Sequence, residues 1–378
     1  MTHAEQADDD SSPTDSSSAT DSTALGAAPI YRGHMVEGGL FASVHSWHDL
    51  FPALRLLKTA RVLASPIWVG IATLVFSLWQ LGIERFVGDL VGSSALATAI
   101  LVSPSEMIFA WIGSGTHFDA PEMLRPFVAS ANGFAAVTLL VVWTLLVWTP
   151  FALSFLHLGG HLTSGRDLPR TRPTLVASVR KTPRAWIASV VPALASLPFL
   201  ILSWLVCWPY LSLFGGPETS FSIMDLVAGL LIAGLTLPAA ILLGFSKAAI
   251  PLSWAAISIE DGADALDALS RGYEYCLRRL VYAAFLITVV LLLLLATSHG
   301  FNWFCSTLLA LIPVQAVPRS VPGILSVVTN ASLIALSWSL IGGSYLLLRQ
   351  SAGGQEIDDI PEVPVAPMPA VPSVQRPT

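Results

Sequence analysis

His45 and His48 in "HSWHDL" stand three residues apart, on one face if the stretch is helical, with Asp49 beside them. Imidazole and carboxylate both ligate metals, but structural zinc sites use four protein ligands and catalytic ones three. Spacing does not fix the direction of Asp49, so the stretch makes no metal site by itself. Two Gly-rich runs, "GSGTH" at 113–117 and "GGHLTSG" at 159–165, have the composition of a phosphate cradle. Neither has a strand before it to aim backbone N–H groups at a phosphate, so both read as turns. His157 and His161 bracket the end of an apolar run and are expected to line the headgroup region. No P-loop, HExxH, GxSxG or GxGxxG pattern occurs. Cys207, Cys276 and Cys305 give neither a disulfide framework nor a zinc spacing. No catalytic, cofactor-binding or metal constellation emerges, and the expectation is a protein that is not an enzyme and needs no cofactor.

The densest charge lies in "DALDALSRGYEYCLRRL", Asp264 to Leu280, which runs directly into the uncharged "VYAAFLITVVLLLLLATS". On a helix, Leu266, Leu269, Tyr273, Cys276, Leu277 and Leu280 recur at three- and four-residue steps as one apolar stripe. Asp264, Asp267, Arg271, Glu274 and Arg278 fall on the other face. Asp267–Arg271 and Glu274–Arg278 are acid-first i,i+4 pairs, each worth about 0.2–0.5 kcal/mol. Asp261 is the expected N-cap, and Arg278 and Arg279 sit where a helix C-terminus and an anionic leaflet both attract cations. Residues 261–280 therefore read as an amphipathic helix lying in a membrane interface.

The elements that must position this helix follow from composition. Only 12% of the 378 residues are charged and 54% are hydrophobic, with a mean hydropathy of +0.68. Globular domains carry about 25% charged residues, so lipid is the expected solvent for most of the chain. The net charge of −6 resides in the N-terminal tail, where Glu5, Asp8, Asp9, Asp10, Asp15 and Asp21 have no Lys or Arg among them. Residues 1–38, rich in Ser, Thr and Asp, cannot bury enough apolar surface to offset ordering entropy and are expected to be disordered. Residues 350–378 are Pro-rich and read as an extended tail. Between them, 39–349 forms a six-span helical domain.

A membrane-crossing helix needs about 20 predominantly apolar residues. Six windows free of Lys, Arg, Asp and Glu qualify, at about 62–83, 133–157, 186–208, 226–246, 281–298 and 324–348. The stretch 90–112 is nearly apolar enough, but Pro104 and Glu106 interrupt it. "SPSE" and "DAPE" read as helix starts, so 85–131 is expected to hold outward-facing helices near the interface. The expected fold is thus all-α: six transmembrane helices as three hairpins, amphipathic interfacial helices and disordered termini. Of the 19 Lys and Arg residues, only Arg85, Arg125 and Arg319 fall on one side of this arrangement. By the positive-inside rule the other side is cytoplasmic and holds both termini, as in a multi-pass protein of a bacterial inner membrane. Trp79, Trp186, Trp204 and Trp208, near span ends, are expected to be interfacial anchors.

Lys58 and Arg61 before the first span match Lys181 and Arg184 before the third, as Arg271, Arg278 and Arg279 precede the fifth. These seven residues are the expected basic membrane anchors. Either the chain repeats one unit three times, or any hairpin entering from the cytoplasm acquires such a lead-in.

"AISIEDGADALDALSRGYEYCLRRLVYAAF", "LFPALRLLKTARVLASPIW" and "SYLLLRQSAGGQEIDDI" resemble a family of uncharacterised multi-span membrane proteins typical of planctomycete bacteria. The likeness covers most of 40–360 and implies no activity. The helix-plus-hairpin pattern is more distantly similar to membrane domains attached to bacterial glycerophosphodiester phosphodiesterases, without their catalytic domain.

Two functions remain. One is a non-enzymatic structural or partner-binding component, touching anionic headgroups through its basic helices and a protein partner through its tails or loops, with no role for nucleic acid. The other is a permease or channel for a neutral or lipid-like solute. It would use Pro150, Pro192, Pro198 and Pro238 to break spans two to four, with Thr144, Thr149, Ser196 and Thr236 as polar lining.

Overall fold

In a computed structural model of the chain, the described residues are 51–91, 131–214, 223–260, 262–311 and 320–353. The two tails beyond them, the His45/His48/Asp49 cluster, Asp261 and most of the 85–131 stretch lie outside the described residues. A 3-10 helix, Pro52–Val62, begins at a proline whose missing N–H costs nothing in a first turn. Among the described residues seven α-helices follow: α1 Pro66–Val91, α2 Ala131–Thr163, α3 Thr171–Phe214, α4 Ile223–Ile259, α5 Ala265–Arg278, α6 Leu280–Leu311 and α7 Ser320–Gly353. All except α5 are long and apolar enough to cross a membrane. The chain is an all-helical, multi-pass integral membrane protein.

The helices outrun the apolar windows. The third window opens at 186, yet α3 begins at Thr171 and takes in the polar lead-in carrying Lys181 and Arg184. Backbone hydrogen bonding does not stop where hydropathy does, and the helix runs on through Pro183. Likewise Lys247, one residue past the fourth window, stands inside α4, which continues unbroken through Pro238 and Pro251. Pro150 sits inside an equally continuous α2. The prolines therefore do not divide these spans.

Three hairpins form, α1 with α2, α3 with α4, and α6 with α7, and α7 packs still more heavily on α2 than on α6. The helices converge at the end carrying most of the basic residues. There α2 is buried almost continuously from Val147 to Thr163, α4 from Leu252 to Ile259 and α7 from Thr329 to Leu348. Toward the other end, α3 and α4 expose Leu197, Ile201, Leu205, Leu226, Leu230 and Leu237, as lipid-facing surfaces do.

Where lipid is as apolar as leucine, helices associate through close packing and interhelical hydrogen bonds. Both devices are present. A Cβ on Gly159 would lie 1.8 Å from the Ser339 carbonyl oxygen, and one on Gly342 would lie 2.1 Å from that of Leu156. Glycine thus lets α2 and α7 touch backbone to backbone. Several of the hydrogen bonds come from indoles. Trp79 donates to Thr144 Oγ1 at 3.0 Å and Trp143 returns a bond to the Trp79 carbonyl at 3.2 Å, joining α1 to α2. Trp186 donates to Thr149 Oγ1 at 3.0 Å, and Trp254 to the Ala185 carbonyl and Ser189 Oγ, both at 3.0 Å. Trp79 and Trp186 therefore face neighbouring helices, contrary to the expectation of interfacial anchors. Trp204 and Trp208 are more than half exposed and pack edge to face on each other.

Helix α5 crosses α4 where Gly272 meets it, a Cβ there falling 2.5 Å from the Ala249 carbonyl oxygen. Its buried residues are Ala265, Ala268, Leu269, Gly272 and Cys276. The expected stripe is thereby divided. Leu269 and Cys276 turn inward, while Leu266, Leu277 and Leu280 are each more than half exposed. At about 100° per residue the small-residue face, the leucine edge and the charged face form three separate sectors. The helix packs on protein mainly through its smallest side chains and leaves Leu266 and Leu277 outward, the placement of a helix seated at a membrane boundary.

Candidate functional site

A polar, largely buried region lies where α4 ends. A helix C-terminus leaves four carbonyls without intrahelical donors, and neighbouring cations and an imidazole supply them here. Lys181 Nζ, from α3, donates to the Ser258 carbonyl at 3.1 Å and to that of Glu260 at 3.4 Å. His157 Nδ1, from α2, is 3.2 Å from the same Ser258 oxygen. Arg184 Nη1 donates to the Ala263 carbonyl at 3.3 Å, beyond the turn. Cations at this position are also favoured by the helix dipole. The chain then turns through Gly262, whose φ of +79° suits a residue without Cβ. It enters α5 at Asp264, whose side chain accepts from the Asp267 N–H at 2.7 Å. Asp264, not Asp261, is the N-cap.

Glu260 gathers three helices. Its carboxylate accepts from Arg271 on α5 and from the Tyr345 hydroxyl on α7, and Arg349 Nε on α7 lies 3.7 Å away. The Glu260 side chain is only 11% exposed and that of Arg349 only 9%, so the group functions as a buried charge cluster. Arg271 also meets Asp267 at 2.7 Å, one turn back on α5. Glu274 and Arg278 pair at 3.0 Å with both side chains more than half exposed. This second pair contributes little, whereas removing a partner from the buried set would leave uncompensated charge.

The seven expected basic anchors consequently divide. Lys181, Arg184 and Arg271 turn onto carbonyls or Glu260, and Lys58 is half-buried near Gly165. Arg61, Arg278 and Arg279 face outward. The four expected lining residues do not share an environment. Thr144 accepts from Trp79, and Thr149 accepts from Trp186 while donating to the Leu145 carbonyl. Ser196 donates to the Ala193 carbonyl at 2.8 Å and Thr236 to that of Ile232 at 2.8 Å. Each hydroxyl is satisfied by its own helix or by an indole.

His157 and His161 are each only 8% exposed, which corrects the expectation that they line the headgroups. Their section of α2 is enclosed by neighbouring helices, with Ile259 of α4 and Leu346 of α7 beside Gly160. Among the described residues no group of three or more His, Cys, Asp or Glu side chains could hold a metal. Glu260, Tyr345, Arg349 and the two histidines had signals in the sequence: Tyr345 and Arg349 are one turn apart, as are the histidines. Only the tertiary fold brings Glu260 to Tyr345.

Burial pushes the Cys276 thiol up to about 11, so the unreactive protonated form prevails at neutral pH. Iodoacetamide labelling of the folded protein at pH 8 is expected to be about a hundredfold slower at Cys276 than in denaturant, as read by peptide mass spectrometry. Equal rates would show that α5 does not stay seated.

No protein-family model, curated protein or solved structure matches the chain.

Proposed function

We propose that this integral membrane protein is a non-enzymatic structural component of a bacterial inner membrane, with both termini in the cytoplasm. Its cytoplasmic end presents a fixed basic surface to anionic headgroups and to a protein partner reached through the tails or loops. One observation carries this reading. The inward-turned ionisable groups at the basic end, Glu260 and Arg349 with half-buried Arg271 and Lys181, are committed to one another and to helix-end carbonyls, while Arg61, Arg278 and Arg279 face outward. Such a distribution suits holding and docking more than turnover. The permease reading gains nothing from Thr144, Thr149, Ser196 and Thr236, whose hydroxyls are already bonded within the protein.

Orientation is tested by fusing an enzyme active only outside the cytoplasm after Gly115 and after Arg172. Activity is expected for the first fusion alone, and equal reports from both would end the proposal. Headgroup binding is tested with Arg278→Gln combined with Arg279→Gln. Each cation near an anionic surface is worth about 1 kcal/mol, so phosphatidylglycerol retained by the detergent-extracted protein should fall at least about fivefold, without a change in melting temperature. Undiminished retention would remove headgroup binding from the proposed role.

A further inference from the structure

We infer that the 3-10 helix Pro52–Val62 is a wedge in the leaflet at the basic end of the bundle. Leu54, Leu57 and Ala60 are sunk among the upper acyl chains, and Arg55, Lys58 and Arg61 lie at the anionic phosphates. The inference rests on the membrane reading above and adds to it an element that engages acyl chains as well as headgroups.

A 3-10 helix has 3.0 residues per turn, so side chains three apart eclipse one another and form three straight ridges. The burial follows that period. Leu56, Thr59 and Val62 are buried, and Ala53, one step earlier, packs against the core cluster of Leu56. The next ridge is apolar: Leu57 is 52% exposed, Ala60 is exposed and Leu54 is half-buried. The third ridge, Arg55, Lys58 and Arg61, is wholly basic, and Pro52–Val62 contains no acidic residue. Eleven residues is long for a 3-10 helix, whose hydrogen bonds are poorer than those of an α-helix. In an α-helix each three-residue step would rotate the side chain by about 60°, so that Leu54 and Ala60 would diverge by about 120°. The tighter winding keeps each line straight.

An apolar ridge beside a basic one fits a neighbour that is apolar and anionic at one boundary, and a leaflet of acidic phospholipid has that character. The chain path holds the helix there. Four Cα steps separate Val62 from Pro66, the first residue of membrane-crossing α1, and at about 3.5 Å per step the link spans about 14 Å at most. The protein also fixes which ridges face outward, because Leu56 lies against Gly343 of α7, with its methyl carbon 2.8 Å from where a Cβ would stand. Phe51, the N-cap residue, is 53% exposed and stands one step before Leu54 on the apolar line.

The test places a nitroxide at single cysteines from 53 to 62 in the full chain, in nanodiscs of phosphatidylcholine and phosphatidylglycerol. Cys207 and Cys305 are replaced by serine, and buried Cys276 is left in place. Collisions with oxygen, which concentrates in lipid, should peak at 54, 57 and 60. Collisions with a water-soluble nickel chelate should peak at 55, 58 and 61, while 53, 56, 59 and 62 should be shielded from both. The label at 57 should lie about 5–10 Å below the phosphates. Leu230→Cys on α4, at a side chain 66% exposed, is the reference. If that label met the chelate instead of oxygen, the membrane reading and the wedge would fall together. A lipid-exposed 230 beside a water-exposed 57 would overturn the wedge alone. Shielding of 54, 57 and 60 from both reagents would mean that another segment or protein covers the ridge, and a period of 3.6 would mean that the ridges do not exist; either overturns the inference. If the labelled chains fail to fold, a benzophenone side chain at 57 in the otherwise unaltered protein decides. Crosslinks to phospholipid sustain the wedge, and crosslinks to protein alone refute it.

Discussion

Replacing Glu260 by alanine is expected to remove about 3–5 kcal/mol of stability, the usual consequence of stripping one partner from a buried ion pair. Arg349, with a side chain only 9% exposed, and half-buried Arg271 would keep their charges without the carboxylate that offsets them. Tyr345, fully buried, would lose the acceptor of its hydroxyl. At about 2–4 °C per kcal/mol, the melting temperature in detergent should fall by about 10 °C, measured by the tryptophan signal on heating. Tyr345→Phe should cost far less, because a hydroxyl is lost without exposing a charge. An apolar replacement of the whole set, Glu260→Met with Arg271→Met and Arg349→Met, should recover most of the loss, since well-packed apolar substitutes for buried ion pairs are often neutral. A decrease below about 2 °C for Glu260→Ala would mean that the cluster does not hold α5 and α7 together.

The second large effect lies between α2 and α7. Alanine at Gly159 or Gly342 must place a methyl group where a backbone carbonyl already stands, at 1.8 and 2.1 Å. A carbonyl cannot rotate out of the way as a side chain can, so the helices must separate. Overpacking of a well-filled core costs about 1–3 kcal/mol, and more where backbone has to move. Both variants should lie at the upper end, read as a lower melting temperature and a smaller monodisperse fraction on size exclusion. Gly229→Ala and Gly234→Ala on α4 are the matched controls, because an added Cβ there meets nothing within 4 Å. They should not destabilise. If all four glycines behaved alike, the close approach of α2 and α7 would not be a source of stability.

These two sites show what the sequence conveys and what it omits. The six spans were legible because lipid demands long uncharged runs, and Asp267–Arg271 and Glu274–Arg278 because helical spacing alone brings them together. The Glu260 cluster was not. A charged residue just past an apolar run looks the same whether it faces water or turns inward, and its partners on α7 are remote in sequence. The division of α5 was hidden for a related reason. Ranking residues by hydropathy selects Leu266 and Leu277 as the buried face, whereas contact in a membrane favours small residues such as Ala268 and Gly272. The tryptophans followed the same logic: proximity to a span end predicts an anchor, but only the fold shows whether an indole N–H can reach the next helix.

The position of α7 bears on how the protein is made. Its glycine-lined side closes against α2 and its tyrosine completes the cluster around Glu260, so the earlier helices lack their central neighbour until α7 leaves the ribosome. Until that moment the buried part of α2, with two imidazoles, and the carboxylate at the end of α4 face a gap. Nascent chains cut short before α7 would thus carry unmet polar groups beside the bilayer, the kind of surface that membrane proteases and insertases recognise. Closure of the bundle around Glu260 therefore waits on α7.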